Sequence, residues 1–227
     1  MGAKSAAQVP DTRTRLLEGA LRLLSTEGPD ALQVRRIAAE VGSSTMTVYT
    51  HFGSMVELCN AVIKEGLVRF GDAVGAVGHS DDPIADLFAQ GVAYREFALN
   101  NAHLYRMMFG VSTPKTNQES IQDLTVEDSP TAIPEGKSAF GLLAEVAARA
   151  AREGRITTSD SVGVAAQIWS AIHGYVLLEM AGFFGTEGNG TGEVLLPLTI
   201  GLLVGAGDER ARAESSFQAA LPRLSSL

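Results

Sequence analysis

A chain of 227 residues, 45% of them hydrophobic, is long enough to bury a substantial core, which excludes the small scaffolds held together by disulfides or metals. A single cysteine, Cys59, excludes an intramolecular disulfide, has no neighbours at metal-ligand spacing and fits a reducing cytoplasm. The formal net charge of −8 is unevenly spread: residues 1–60 carry six basic side chains (Lys4, Arg13, Arg15, Arg22, Arg35, Arg36) and six acidic ones, so all the excess negative charge lies in residues 61–227.

Ala, Leu, Arg and Glu are abundant and aromatic residues make up only 6%, a balance that predicts an all-α protein. Residues 1–10 are small and polar, end at Pro10, contain no apolar signal core and read as a disordered tail. Asp11 or Thr12 then caps a helix whose Leu16, Leu17, Ala20, Leu21 and Leu24 recur at three- and four-residue spacing, and Gly28-Pro29 ends it. A second helix runs from about Gln33 to Val41, with Val34, Ile37, Ala38 and Val41 on one face, until Gly42 stops it. Ser44 is placed to cap a third helix, Thr45 to Phe52, and Gly53-Ser54 separates that from a long fourth helix carrying Leu58, Val62 and Phe70.

Beyond residue 80 the helices lengthen and their apolar faces widen: Pro83–Asn100, Ala102–Phe109, about Pro134–Glu153 and Ser159–Phe184. Residues 111–133 are polar and without periodicity, a connection long enough to be functional or disordered. After Gly185 to Gly192 comes Val194–Ala206, apolar nearly all round, and then an amphipathic tail helix over Asp208–Leu221. Val194–Ala206 is too short to span a bilayer, which takes about 18 apolar residues or more. It reads as a buried helix, and no membrane partner is expected.

The segment from Val34 to Phe52 meets the steric needs of two helices crossing over a tight turn. Ala38 is small at the approach, Gly42 supplies a positive φ, and Ile37, Val48 and Phe52 form the shared core. With Val48 and Phe52 inward, the third helix exposes Thr45, Met46, Thr47, Tyr49, Thr50 and His51, groups able to meet base edges and phosphates. Taken singly, Tyr49 and His51 are equally at home as ordinary surface residues of a small bundle.

The run TRTRLLEGALRLLSTEGPDALQVRRIAAEVGSSTMTVYTHFGSMVEL, Thr12 to Leu58, resembles the tetracycline-repressor (TetR) family of bacterial regulators, most specifically in RRIAAEVG and TVYTHF. The resemblance implies that the third helix enters the major groove of double-stranded DNA. It places Thr45, Thr47, Tyr49 and Thr50 at bases or flanking phosphates and His51 at a phosphate, with the capping Ser44 and Arg35 of the second helix in the same DNA-contact set. Three positions depart from the family pattern. Met55 stands where a phosphate-pairing lysine is common, Ser43 where a buried valine is usual, and Gln33 where Ser or Thr normally caps the second helix.

A second resemblance, in IWSAIHGYVLLEMAG with its Trp169-x-x-x-His173-Gly174 pattern, is to one subgroup of TetR-family effector domains. It implies a homodimer through Ser159–Phe184 and Val194–Ala206. One short recognition helix reads only a few base pairs, so two heads on a pseudo-palindromic operator follow from the design. The effector candidates are Phe97, Leu104, Tyr105, Met108, Phe109, Phe140, Trp169 and His173, which suit a small apolar or amphipathic organic molecule. Each apolar one is also plausible as plain core, and His173 as a core histidine with a hydrogen-bond partner.

The expected architecture is therefore a three-helix head, residues 11–57, joined by a connecting helix to a ligand-binding and dimerisation body, residues 58–227. The expected function is a repressor released from its operator by that ligand. The alternative is a helical ligand- or partner-binding protein with weak or lost DNA binding, which Met55, Ser43 and the neutral head would favour. The four histidines lie on separate segments, and no nucleophile elbow or phosphate-binding glycine loop occurs, so neither an enzyme nor a cofactor or metal site is expected.

Overall fold

The structure, a computed structural model, describes residues 11–112, 134–157, 159–185 and 189–224, and every regular element among them is a helix. The tail 1–10 and most of the connection 111–133 lie outside the described residues. The described residues fall into two packing units, 11–66 with 103–112, and 67–102 with the residues from 134 onward.

In the first unit, α1 (Thr12–Glu27) starts where the Asp11 carboxylate accepts from Thr14 N at 2.7 Å. It ends at Gly28, after which Pro29–Ala31 forms a 3₁₀ turn. Next comes α2 (Val34–Glu40), closed by Gly42 at φ 65° and a bond from Ser43 N to Ala38 O at 2.8 Å. Ser44 then caps α3 (Thr45–Phe52). Leu16, Leu24, Ile37, Ala38 and Val48 form the core that these helices share. This unit also takes in the first half of α4 (Met55–Gly75) and α6 (Ala102–Met108), so it is larger than the 11–57 head read from the sequence. Gly66 lets α6 approach: a Cβ there would lie 2.9 Å from Leu104 and 2.8 Å from the sulfur of Met108.

The second unit holds the rest of α4 with α5 (Pro83–Asn100), α7 (Pro134–Arg152), α8 (Ser161–Met180), α9 (Leu196–Gly205) and α10 (Arg210–Leu224). α5 packs against α7, α8 and α10, and α8 packs against α7 and α9. α8 is shorter than the Ser159–Phe184 span expected from sequence. Asp160 caps its start by accepting from Gly163 N, and Gly182, at φ 84°, turns the chain so that Phe183 N bonds Leu178 O. By length and a mean hydropathy of 1.3 this helix could cross a membrane, yet here it is a body helix packed among α5, α7 and α9. The Val194–Ala206 helix begins earlier than expected, with a π-helical turn over Thr191–Leu195 in which Leu196 N reaches Thr191 O. Pro197 has no N–H to return to Glu193, and the widened turn precedes it. α10 runs through Pro222 to Leu224, beyond the expected end at Leu221.

A buried polar network joins the elements of this unit. The Asp86 side chain is fully buried and accepts from Ser80 N, Ser80 Oγ, Arg149 and Arg223. Asp82 caps α5 and accepts from Arg155 at 2.9 Å and Ser216 at 2.6 Å, while Arg155 also forks onto Asp208. Burial alone would raise the pKa of both Asp86 and Asp82. The hydrogen bonds outweigh it and hold both carboxyls below their ordinary values.

Candidate DNA-contact surface and effector cluster

α3 turns two residues inward, Val48 at 1% and Phe52 at 7% exposure. The rest of the helix faces outward: Met46 is 70% and Tyr49 45% exposed, Thr45, Thr50 and His51 are exposed, and Thr47 is half-buried. The hydroxyls differ in what they have left to offer. Thr50 Oγ1 donates to Met46 O at 2.9 Å, so in this rotamer it can only accept. Ser44 and Thr47 share one hydroxyl–hydroxyl bond at 2.9 Å. A phosphate needs donors, and on this face Tyr49 and His51 offer a phenol O–H and a ring N–H. Arg35, exposed on the second residue of α2, adds a guanidinium.

Of the three departures from the family pattern, Gln33 has a visible consequence. Gln33 occupies the cap position of α2 with no side-chain cap bond, its amide donating instead to Asp30 O at 3.0 Å. Ser43 is half-buried, and Met55, also half-buried, is the first residue of α4.

The eight effector candidates divide evenly between the units. Leu104, Tyr105 and Met108 are buried and Phe109 is half-buried in and beside α6, with the Tyr105 and Phe109 rings 4.9 Å apart. Phe97, Phe140, Trp169 and His173 belong to the second unit, where the rings form one cluster. Trp169 lies 5.7 Å from Phe140, 5.8 Å from Phe70 and 5.3 Å from Tyr94, all edge-to-face, and Phe70 lies 5.4 Å from Phe97. His173 Nδ1 is 3.0 Å from the Tyr94 hydroxyl, and burial lowers the pKa of the imidazole, favouring the neutral ring. Phe70, read from sequence only as an apolar residue of the fourth helix, and Tyr94 were not among the effector candidates. Tyr94 is three residues before Phe97 on the same face of α5, and that spacing was the available signal.

An open groove of about 550 Å³ runs between the second half of α4 and the start of α7, lined by Leu67, Val68, Gly71, Ser138 and Leu142 among others. On α8, the π-helical turn and α9, Val162, Leu178, Val194, Leu198 and Val204 are exposed apolar residues, with Gly174, Gly201 and Gly205 exposed on the same helices. Among the described residues, no group of three metal-ligating side chains occurs.

Two short helices over a glycine turn, the second with a polar outer face, define a helix-turn-helix protein with a helical body. Residues 16–62 match the family model of bacterial regulatory proteins, tetR family, and residues 87–195 match that of the tetracyclin repressor-like C-terminal domain. An uncharacterized HTH-type transcriptional regulator of Mycobacterium tuberculosis is 30% identical over 180 residues, 75% of this chain and 71% of that one. The chain belongs to the TetR family and is a DNA-binding transcriptional regulator, a class of regulators rather than enzymes. Among solved structures, a protein of unknown function from Rhodococcus sp. RHA1 shares the fold with a TM-score of 0.71 at 21% identity, covering 90% of this chain and all of that one. RolR, solved in complex with resorcinol, shares it with a TM-score of 0.63 at 16% identity, covering 91% and 92%.

Proposed function

We propose that this regulator is a cytoplasmic, homodimeric repressor that holds a pseudo-palindromic operator through α3 and releases it when a small apolar or amphipathic molecule binds the body. The observation that carries the DNA side is the outer face of α3, where Tyr49 and His51 keep donors for phosphate beside the exposed Thr45 and Met46. Ser44 and Thr47 complete that face, Thr50 serves as an acceptor for a base amino group, and Arg35 joins from α2.

The effector reading is supported by the aromatic cluster with a polar edge, the Tyr94–His173 pair. Rings together with a neutral imidazole and a phenol suit a small aromatic or amphipathic molecule better than a sugar phosphate. RolR has such a ligand in resorcinol. The candidates on and beside α6 stay in this reading as residues that sense the position of α4 through Gly66.

The switch follows from the helix that both events share. α4 contributes Phe70 to the cluster and begins at Met55, three residues after the end of α3. A ligand lowers DNA affinity only by binding better to an arrangement in which the two heads are wrongly spaced. Coupling of about 1–3 kcal/mol gives a roughly 5- to 150-fold loss of affinity. We assign DNA binding to residues 11–57 and ligand binding and dimerisation to residues 58–227, the latter through Ser159–Phe184 and Val194–Ala206, whose exposed valines and leucines form a face for a second copy. Leu198→Asp should yield monomers or unfold the protein; sedimentation of a folded wild-type monomer at micromolar concentration would remove the dimer.

A gel-shift against DNA flanking the gene, followed by screening small aromatics for release, tests the whole reading. Trp169→Ala and Phe140→Ala should blunt release while leaving ligand-free binding nearly unchanged. Loss of DNA binding in both without ligand would make these rings plain core. Failure of the wild-type protein to bind would favour a ligand- or partner-binding role without DNA.

A further inference from the structure

The described part of the head carries five arginines, and their hydrogen bonds separate them into two kinds. Arg15 donates to Val41 O at 2.8 Å, Arg22 to Glu40 at 3.0 Å and Arg36 to Glu27 at 2.5 Å. Neither Arg13 nor Arg35 donates a side-chain hydrogen bond to any described residue. Arg35 already belongs to the DNA-contact set. Arg13 does not, and it is held in place in another way: its guanidinium carbon lies 4.8 Å from the centroid of the Phe52 ring, at the last residue of α3.

A guanidinium stacked on a ring is attracted through its flat face and keeps its N–H donors free around its edge. That removes much of the side-chain freedom an exposed arginine would lose on binding, without engaging its hydrogen bonds. The nearby anion, Asp11, is occupied as the α1 cap: its pKa is lowered mainly by the hydrogen bonds from Thr14, with the Arg13 charge a minor cause.

We propose that Arg13 is a DNA-backbone contact, a guanidinium stacked on Phe52 and presented to a phosphate beside the C-terminal end of α3. It supplies a cation against Phe52, three residues before Met55, where the resemblance puts a phosphate-pairing lysine. Among the described arginines of the head, Arg22 and Arg36 are paired with Glu40 and Glu27 and Arg15 is tied to a backbone oxygen, which leaves the donors of Arg13 and Arg35 for a polyanion.

This inference rests on α3 being the recognition helix, and the test separates the two. A duplex is first selected from random-sequence DNA by the wild-type protein, and its Kd is measured against KCl concentration for wild type, Arg13→Met, Arg13→Lys and Tyr49→Ala. Methionine keeps the contact with Phe52 and removes the charge. Each lost phosphate contact lowers the salt slope by about 0.9, so a dimer of Arg13→Met should show a slope smaller by about two and binding roughly 10- to 100-fold weaker at low salt. The base preference should not change, and Arg13→Lys should keep most of the slope. A Phe52→Leu change should lower the slope partway in the wild-type background and have no effect on it in Arg13→Met, which a purely structural role for the ring would not produce. An Arg13→Met slope equal to wild type, with Tyr49→Ala still weakening binding, overturns the Arg13 assignment alone. If the wild-type protein selects no duplex, both readings fall.

Discussion

The head and the body use their charged residues in opposite ways. In the head, the pairs Arg22–Glu40 and Arg36–Glu27 lie at the surface, and the fold rests on apolar side chains such as Leu16, Ile37 and Val48. In the body, Asp86 and Asp208 have side chains with no exposure, and Arg155 is 8% exposed between two of its carboxylates. The head uses polar groups in helix caps and surface pairs and keeps Tyr49, His51 and Arg35 exposed. The body's charged groups Asp82, Asp86, Arg155 and Asp208 are matched to one another or to Arg149 and Arg223, so the proposed effector site rests on its rings and on the Tyr94–His173 pair.

That contrast predicts a ladder of effects. The largest is expected from Asp86→Ala, which leaves Arg149 and Arg223 without their shared acceptor and should cost about 3–5 kcal/mol in urea unfolding, the range for breaking one side of a buried ion pair. A loss under about 1 kcal/mol would place this network with the surface pairs and erase the contrast.

Next come Tyr49→Ala and His51→Ala, each expected to weaken operator binding by about 1–3 kcal/mol with unfolding curves unchanged. Normal affinity in both variants would end the assignment of α3 as the reading helix.

A smaller effect concerns acid. Burial lowers the pKa of His173, so the unfolded chain takes up a proton there before the folded one does, and stability should fall as pH drops through the ordinary imidazole range. His173→Gln should flatten that segment of the stability–pH curve. Asp82 and Asp86, with lowered pKa values, should add a separate loss only when pH falls further, through their depressed carboxyl values. The smallest change is expected for Arg22→Ala, under about 1 kcal/mol, because both partners of that pair are solvated.

The helices of the head were legible because their signals are local. Asp11 and Ser44 each cap a helix by accepting from a backbone N–H three residues on, and Gly28, Gly42 and Gly53 each end one at a positive φ. The outward face of α3 followed from helical spacing once Val48 and Phe52 were turned inward. The all-α class likewise followed from composition and periodicity.

Tertiary structure alone decided the rest, because the partners are far apart in sequence and nothing local marks them. Tyr94 and His173 are 79 residues apart, and Asp86 and Arg223 are 137 apart. Arg13 read as one of six basic residues until the fold brought the Phe52 ring beneath it, since stacking needs the start of α1 beside the end of α3. Periodicity tells which residues of a helix turn inward. Which ring, carboxylate or guanidinium they meet there depends on how the helices cross.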